Sequence, residues 1–575
     1  MYSTALIPFT LGNMTKTQTF VTADIECSTL DNGEFDYSLG VVYDGETYEV
    51  YYSIESLFIG LTDKTVYFHN LDFDIMFFIK SSHIVQDIED CQIITSGSKI
   101  IGITLHTVEF RDSLALIPMP LKVIVSSYLG INDVDYFNDK SNVVNLNYTQ
   151  LLSYCQKDCA YLFQALTKYW LGVSAYYTKT HPLTTPATAL KVFLESFYEP
   201  STDFLHISHR HKFFDDSYYF GGHTEVFEPE RKIYRHTYYY DVNSLYPFAS
   251  QELEFLSDKL MRLKPSKAVL GQLISNNHKF FCQVTVNIDR ETLRFFPTLH
   301  QQRNRYFSGV HTYKMSEIGV QFILKYGSFD NIIEVQDILT TPTKRTITPF
   351  TKFINHFYDK RLEGGANKIL YKLFLNSLYG KFAEKLTRRV STLNESPQKT
   401  PPLSVTKLKS GVYLSQRLEI APFYKKHLNR LDIAGKITEQ SRLYMGGIIN
   451  TIRLSGFNVW YTDTDSIMTD CCLETHHPHL IHSTKLGALK NELGAGKNDT
   501  VIIIGQKFYY LLRTHKSASK GVRNLTYADY KALVRDNSLT KTRQVFSKLS
   551  KYVSSEFFGI MEVPIFLQKF LRRND

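Results

Sequence analysis

The sequence predicts an α/β chain built from several domains. Three observations lead there. At 575 residues the chain is longer than one hydrophobic core ordinarily holds. Hydrophobic residues make up 43% of it, enough to fill large cores. Short strand-like runs rich in acids lie at residues 19–27, 237–241 and 456–468, with helix-period stretches between them.

Composition narrows the class. Aromatics reach 14%, with 38 Tyr and 40 Phe; such rings fill cores and also stack on unpaired bases. Lys and Arg exceed Asp and Glu by 65 to 57, a net charge of +8 that suits a polyanionic partner. The seven Cys are odd in number and scattered, apart from Cys155/Cys159 and Cys471–Cys472, and no zinc spacing recurs. An intracellular, reducing compartment without a disulfide framework is expected. The first residues lack a basic n-region, so no signal peptide is expected. No apolar run approaches the roughly 20 residues of a membrane span, so no membrane partner is expected.

The first strand, residues 19–27, ends in Asp24-Ile-Glu26, two acids on one face. A β-rich stretch from Leu39 to Tyr52 turns at Asp44-Gly45. Then His69-Asn70-Leu-Asp-Phe73-Asp74 runs into an apolar helix-like segment. Leu151 to Leu166 has helical period and carries Tyr154 and Asp158 on one face. A lone Asp before a helix is more often a cap. The ordered set Asp24, Glu26, Asp74 and Asp158 has the carboxylates a two-metal nuclease needs, with a Tyr placed to orient water.

This ordered set resembles the proofreading 3′–5′ exonuclease domain of family B DNA polymerases. The nearest type is the protein-primed polymerases of bacteriophages and linear plasmids. The resemblance implies an RNase H-like exonuclease domain followed by a right-hand polymerase of palm, fingers and thumb, with two subfamily insertions. It implies metal ligation by Asp24, Glu26, Asp74 and Asp158, with Tyr154 assisting. It also implies that His69, Asn70, Phe73, Ser113 and Leu114 hold a single-stranded end. By its residue type Phe73 suits either base stacking or core packing. The family's Lys-x-x-apolar element has one match, Lys140-Ser-Asn-Val143, whose role stays open, and Tyr136 is a further expected DNA contact.

Further along, the resemblance continues motif by motif. Tyr219, Gly221 and Gly222 match a Tyr-x-Gly-Gly element that joins the domains and contacts the template. Asp241-Val-Asn-Ser244-Leu-Tyr246-Pro247 closes a strand and opens a helix expected over Phe248 to Leu256. Here Asp241 is the implied ligand of both catalytic cations, and Tyr246 the residue beneath the sugar, with Ser244 beside the nucleotide. Residues 350–386 predict two helices broken at Gly364-Gly365. Lys368, Lys372 and Asn376 are spaced by four on one polar stripe, backed by Leu370, Leu373, Phe374 and Leu378. The resemblance puts Lys368, Lys372 and Lys360 on the incoming triphosphate and Tyr379 at the nascent base pair. Thr438 and Arg442 match a DNA-contacting helix, with Ser441 where the family has a smaller residue. Lys507 and Tyr509, read as alternating along one strand, match the element that grips the primer end.

The hexamer Tyr461-Thr-Asp463-Thr-Asp465-Ser466 stands between two strand-like runs. Read alone, it fits a solvated acidic turn as well as a metal site. With Asp241 it becomes the second arm of a two-metal centre. Asp465 is then the shared ligand and Asp463 an accessory.

The expected boundaries are 1–170 for the exonuclease domain, 171–230 for the connecting segment and 231–575 for the polymerase domain. Within the last, the palm takes 231–255 and 426–520, insertion one about 256–345, the fingers about 346–384, insertion two about 385–425 and the thumb about 521–575. The activity implied is templated addition of dNMP from dNTPs to a DNA primer, with proofreading. Two Mg²⁺ per active site are expected, with Mn²⁺ as a substitute. The two insertions imply a terminal protein as primer. The competing readings are a polymerase that extends only nucleic-acid primers and an inactive DNA-binding scaffold.

Overall fold

The computed structural model describes residues 19–89, 91–97, 99–141, 146–199, 212–215, 217–228, 230, 232–288, 309–365, 367–385, 387–397, 402–420, 429–519, 525–536, 540–546 and 558–566. The chain divides into two compact units. Met1–Thr188, Thr387–Glu419 and Val545–Met561 form the first; Ala189–Leu386, Ile420–Gln544 and Glu562–Asp575 form the second. No helix among the described residues is long and apolar enough to cross a membrane.

The first unit is built on a ten-stranded sheet. Its order is Ser404–Lys407, Tyr413–Ile420, Thr387–Asn394, Cys91–Ser96, Lys99–Leu105, Val108–Asp112, Thr65–Phe68, Val21–Thr29, Phe35–Tyr43 and Tyr48–Tyr51. Thr65–Phe68 runs parallel to both of its neighbours. Period-two alternation decides what each face carries. Ala23 and Ile25 enter a core with Ile75 and Phe78 of the helix Leu71–Lys80. Thr22, on the opposite face, donates its hydroxyl to the Cys159 carbonyl at 2.8 Å. Cys159 belongs to the helix Tyr148–Ser174, which opens with an Asn147/Gln150 capping box and packs Cys155 and Cys159 on Leu39 and Val41. Asp24 and Glu26 share the face of Thr22 and so look toward that helix.

Residues 385–425, expected as an insertion of the polymerase domain, contribute three strands to this same sheet. Thr387–Asn394 pairs with Cys91–Ser96, setting Ser391 opposite Ile93. The basic, Pro- and Ser-rich composition gives no sign of this, because the pairing is with residues some 300 positions away.

The second unit centres on an antiparallel sheet ordered Ser517–Ser519, Phe508–Leu511, Asp499–Gly505, Ile233–Val242, Ser466–Thr469, Val459–Asp463 and Thr224–Val226. The helix Leu431–Leu454 lays Ile448, Ile449 and Ile452 on Tyr240, Val242 and Ile467 of that sheet. Two helices, Thr351–Glu363 and Lys368–Ser377, flank Gly364 and Gly365. Both glycines have positive φ, 82° and 78°, a region other residues enter at a cost. Residues 256–345 supply a four-stranded sheet, Met261–Leu263, Ile332–Thr340, Phe281–Ile288 and Gly309–Ser316, with the helices Lys267–Ser275 and Glu317–Tyr326 packed on it. The Arg-rich segment 297–306 lies outside the described residues, as do Asn142 and Val143 of the Lys140 element and much of the expected thumb.

A buried ionic network ties this four-stranded region to the long helix. The Lys436 ammonium lies 2.7 Å from Glu317, and their side chains are only 1% and 4% exposed. Lys436 also donates to the Glu254 carbonyl at 2.7 Å, and Lys279 bridges the Glu254 and Glu317 carboxylates. One turn on, the Glu439 carboxylate accepts the Ser316 N–H at 3.1 and 3.2 Å. Burial pushes Glu439 up to about 7. Lys436→Met would leave Glu317 buried with a weaker partner and should cost about 3–5 kcal/mol. Urea unfolding should show the double variant Lys436→Met/Glu317→Leu losing less than the two single losses combined. Strict additivity would contradict the network.

Candidate active sites

In the second unit, Asp241 is the last residue but one of the strand Ile233–Val242. The helix after it begins at Leu245 and stops at Gln251, earlier than the Phe248 to Leu256 expected from Pro247. Phe255–Leu256 is instead a short strand paired with Thr346–Ile347. Ser244 between strand and helix is left-handed, at φ 56°.

The hexamer folds as the expected hairpin, Asp463 opposite Ser466. Thr464 takes φ 61°, unusual for a β-branched residue and worth on the order of 1–3 kcal/mol of strain. It is held there by its N–H, which donates to the His223 carbonyl at 2.7 Å. A Cβ on Gly222 would come within 2.4 Å of the Thr464 hydroxyl oxygen, so only glycine fits beneath the turn. The left-handed residue breaks the extended alternation that would aim Asp463 and Asp465 the same way, and the two acids have different partners. Asp463 accepts Lys507 Nζ on both oxygens, at 2.6 and 2.7 Å, and the Thr224 hydroxyl at 2.9 Å.

Asp465 belongs with Asp241. Ser466 is in register with Asp241, and the Val242 N–H donates to the Asp465 carbonyl at 2.8 Å. Burial pushes the Asp241 carboxyl up to about 7, and the Asp465 charge adds to the rise. Asp465 is raised as well, first by burial, while Lys507 and Lys372 oppose the rise. Lys372 acts in the same direction on Asp241. Two half-buried carboxylates that each raise the cost of ionising the other fit a shared divalent cation.

The rings of Tyr246 and Tyr379 stack at 4.2 Å. Lys368, Lys372 and Asn376 lie exposed along one helix, whose buried side is Leu370, Phe374, Leu375 and Leu378; Leu373 is only half-buried. Lys360 lies on the surface and pairs with Glu363 at 2.9 Å. Arg442 donates to the carbonyls of Phe220 and Gly221 at 2.9 and 3.0 Å, so its helix and the Tyr219–Gly222 element form one structure. Thr438 is buried and donates its hydroxyl to Gly435 of its own helix. Lys507 is not within a strand: it occupies the turn between Asp499–Gly505 and Phe508–Leu511, at φ 55°. From there it reaches Asp463, while the Tyr509 hydroxyl meets that of Tyr239 at 3.2 Å.

In the first unit the four expected acids converge. Asp24 and Asp158 line one cavity of about 340 Å³ with His69, Asn70 and Leu114. Asp74 is held well above the usual carboxylate range, first by burial and then by the Asp24 charge. The donor set fits divalent cations for the same reason as in the second unit. Burial, with Asp158 and Asp24 nearby, raises the Tyr154 hydroxyl. Tyr136, expected as a DNA contact, is fully buried; its hydroxyl donates to Asp158 at 2.5 Å and its ring stacks on Tyr154. Phe73 is half-buried and packs edge-on against Phe35 and Phe77.

Two residues here escaped the sequence reading. Cys155 offers sulfur within 4.8 Å of the ligand oxygens of Asp24 and Glu26. Burial raises its thiol well above the ordinary value. Asp112 accepts three backbone N–H groups on one oxygen, from Asn70 at 2.9 Å, Leu114 at 3.0 Å and Leu71 at 3.3 Å. It thereby ties Asn70, left-handed at φ 80°, to the Ser113–Leu114 turn. His69 joins them, its ring nitrogens 3.0 Å from the Ser113 hydroxyl and the Met119 carbonyl. The position of Asp112 directly before Ser113 was the available signal.

Residues 132–400 match the family described as DNA polymerase type B, organellar and viral. A probable DNA polymerase of Podospora anserina is 24% identical, covering 75% of this chain and 39% of its own length. One of Agaricus bitorquis is 26% identical, covering 56% and 45%. The DNA-directed DNA polymerase of Enterobacteria phage PRD1 is 24% identical, covering 83% and 81%. The chain thus spans less than half the length of the two fungal relatives. Phi29 DNA polymerase, solved with primer-template DNA and incoming nucleotide, superposes with a TM-score of 0.68 at 16% identity, covering 96% of this chain and 99% of the other, which shows a shared fold.

The raised Asp241 carboxyl sets a pH dependence. The folded group holds its proton up to about 7, the unfolded one only to about 4. Its contribution is therefore favourable at low pH and is lost as pH rises through 7. In metal-free protein, the melting temperature of Asp241→Asn should exceed that of wild type at pH 8, and the difference should shrink as pH falls toward 4. A difference independent of pH would contradict the assignment.

Proposed function

We propose that this chain, which resembles the organellar and viral type B DNA polymerases, is a DNA-directed DNA polymerase with a 3′–5′ proofreading exonuclease. The observation that carries the polymerase reading is the Asp241–Asp465 pair, one near the end of a strand and the other in the turn that opens the adjacent strand, with the Lys372 charge beside both. Asp241 and Asp465 are the residues suited to hold Mg²⁺ or Mn²⁺. Bound cations would supply activation of the primer 3′-hydroxyl and neutralisation of the departing pyrophosphate. Lys372 and Lys368 attract the triphosphate as point charges. Tyr246, stacked under Tyr379, gives the sugar and nascent pair a flat, rigid floor. Lys507, fixed on Asp463, stands at the primer end, and Arg442 secures the Tyr219–Gly222 segment on the template side.

In the first unit Asp24, Glu26, Asp74 and Asp158 are the residues suited to hold cations. Tyr154 orients the attacking water, and His69, Asn70 and Leu114 line the cavity that takes a frayed end. Tyr136 holds the Asp158 carboxylate by its hydrogen bond. A terminal protein is the proposed primer, a reading supported by the strands and helices within 256–288, 309–345 and 387–420, where the protein-primed type carries its insertions. The unpaired cysteines support an intracellular site of action.

Primer extension with Mg²⁺ should be lost, by at least about 1,000-fold, in Asp465→Asn. Equal extension by the variant and wild type would remove the assignment. Asp24→Ala should abolish degradation of single-stranded DNA and leave extension intact; loss of both together would contradict two separate sites. Incubation with each labelled dNTP and the candidate terminal protein should give a covalently labelled protein band. Extension of DNA primers without such a band would favour nucleic-acid priming alone.

A further inference from the structure

Among the described residues, one group of three ligand-bearing side chains brings its donor atoms within 4.8 Å of one another, and it includes a sulfur: Asp24, Glu26 and Cys155. The acids come from the strand Val21–Thr29 and the cysteine from the helix Tyr148–Ser174 packed across its face. The Cys155 sulfur lies 3.7 Å from the Asp24 carboxylate and 3.6 Å from the Asp24 carbonyl oxygen. Cys155 is fully buried, with Leu39 and Val41 on its apolar side. Asp24 and Glu26 are half-buried, and Asp24 lines the cavity of about 340 Å³ from which an ion can enter.

A buried cysteine is ordinarily a small apolar filler. Cys159, one turn further along the helix, is such a residue: its thiol donates to the Val41 carbonyl at 3.4 Å, and it is not part of the donor group. Cys155 instead sets its sulfur beside two carboxylates. Hard cations such as Mg²⁺ take oxygen ligands and leave a thiol protonated, whereas zinc and cadmium accept thiolate together with carboxylate. A tetrahedral ion with sulfur at about 2.3 Å and oxygen at about 2.1 Å holds the two donors about 3.6 Å apart. Cys155 and Asp24 are already close to that separation.

We propose that Cys155 makes the cation site of the first unit selective for a thiophilic divalent ion, zinc above all, held by Asp24, Glu26 and the Cys155 thiolate. The S–H bond breaks as the sulfur–zinc bond forms, and the proton passes to solvent. Zinc then takes both strand carboxylates from Mg²⁺ and restrains the nuclease. The Asp241–Asp465 pair has no such group with sulfur among the described residues, and it keeps its preference for hard cations. This rests on the exonuclease reading of the first unit.

Titration of the intact, metal-free chain with Cd²⁺ tests this, because a sulfur–cadmium bond adds charge-transfer absorption in the ultraviolet. Wild type should show that absorption. Cys155→Ser and Asp24→Ala should each lose one equivalent of it, and Cys159→Ala should keep it. Asp24→Ala retains every thiol, so its loss separates a built site from binding at a stray cysteine. In competition, Zn²⁺ affinity at this site should fall on the order of 100-fold in Cys155→Ser, with Mn²⁺ affinity changed less than about 3-fold. Micromolar Zn²⁺ added to excess Mg²⁺ should slow degradation of single-stranded DNA by wild type at least about 10-fold more than it slows primer extension. Cys155→Ser, measured against its own rate in Mg²⁺ alone, should lose that difference. Unchanged absorption in Cys155→Ser or in Asp24→Ala, or equal zinc sensitivity of Cys155→Ser and wild type, overturns the inference. If Cys155→Ser melts well below wild type, Cys155→Ala carries the same comparisons. Failure of the exonuclease reading shows separately, as absence of degradation by wild type in Mg²⁺ alone. The Cd²⁺ absorption and its loss in the variants then still decide the ligation.

Discussion

Two carboxylates that repel each other across adjacent strands are what the second unit is arranged to hold. Asp241 and Asp465 come together because the strands Ile233–Val242 and Ser466–Thr469 pair in one register, and a one-residue slip would turn one of them to the other face. That register depends on the long helix Leu431–Leu454, which packs Ile448, Ile449 and Ile452 beneath both strands. The strain accepted nearby has the same origin. Ser244, Thr464 and Lys507 each take a left-handed backbone where the chain must turn within one or two residues to leave an acid or a cation at the centre. The supports are specific: the His223 carbonyl for Thr464, Arg361 for Ser244 and the Tyr461 hydroxyl, which accepts the Lys507 N–H.

The first unit solves a similar problem differently. Its acids come from two strand positions and two helices, and hydroxyl and backbone hydrogen bonds help to hold the surroundings. Tyr136 bonds Asp158, and Asp112 gathers three backbone N–H groups to fix the start of the helix that carries Asp74.

Much of this was legible because the informative motifs are local. Asp24-x-Glu26, Asp241 at a strand end, the helix break at Gly364-Gly365 and the Asp463–Asp465 hairpin each depend on a few consecutive residues. The errors share a cause as well. Lys507 and Tyr509 stand two apart in a run, Val501 to Tyr510, that reads as one strand, whereas the chain turns back after Gly505. Tyr136 was read as a surface contact because nothing nearby in sequence announces its bond to Asp158. The strand Thr387–Asn394 pairs with residues near 93, beyond the reach of composition or periodicity. Cys155 became visible only when distant segments were brought together.

The Asp241–Asp465 pair is proposed to bind a divalent cation and to give up a proton in doing so. Titration calorimetry of Mn²⁺ binding in two buffers of different ionisation enthalpy, at pH 6.5 to 7, measures this directly. Net proton release should be reduced, together with the number of bound ions, in Asp465→Asn. Identical stoichiometry and proton release in the variant and wild type would contradict it.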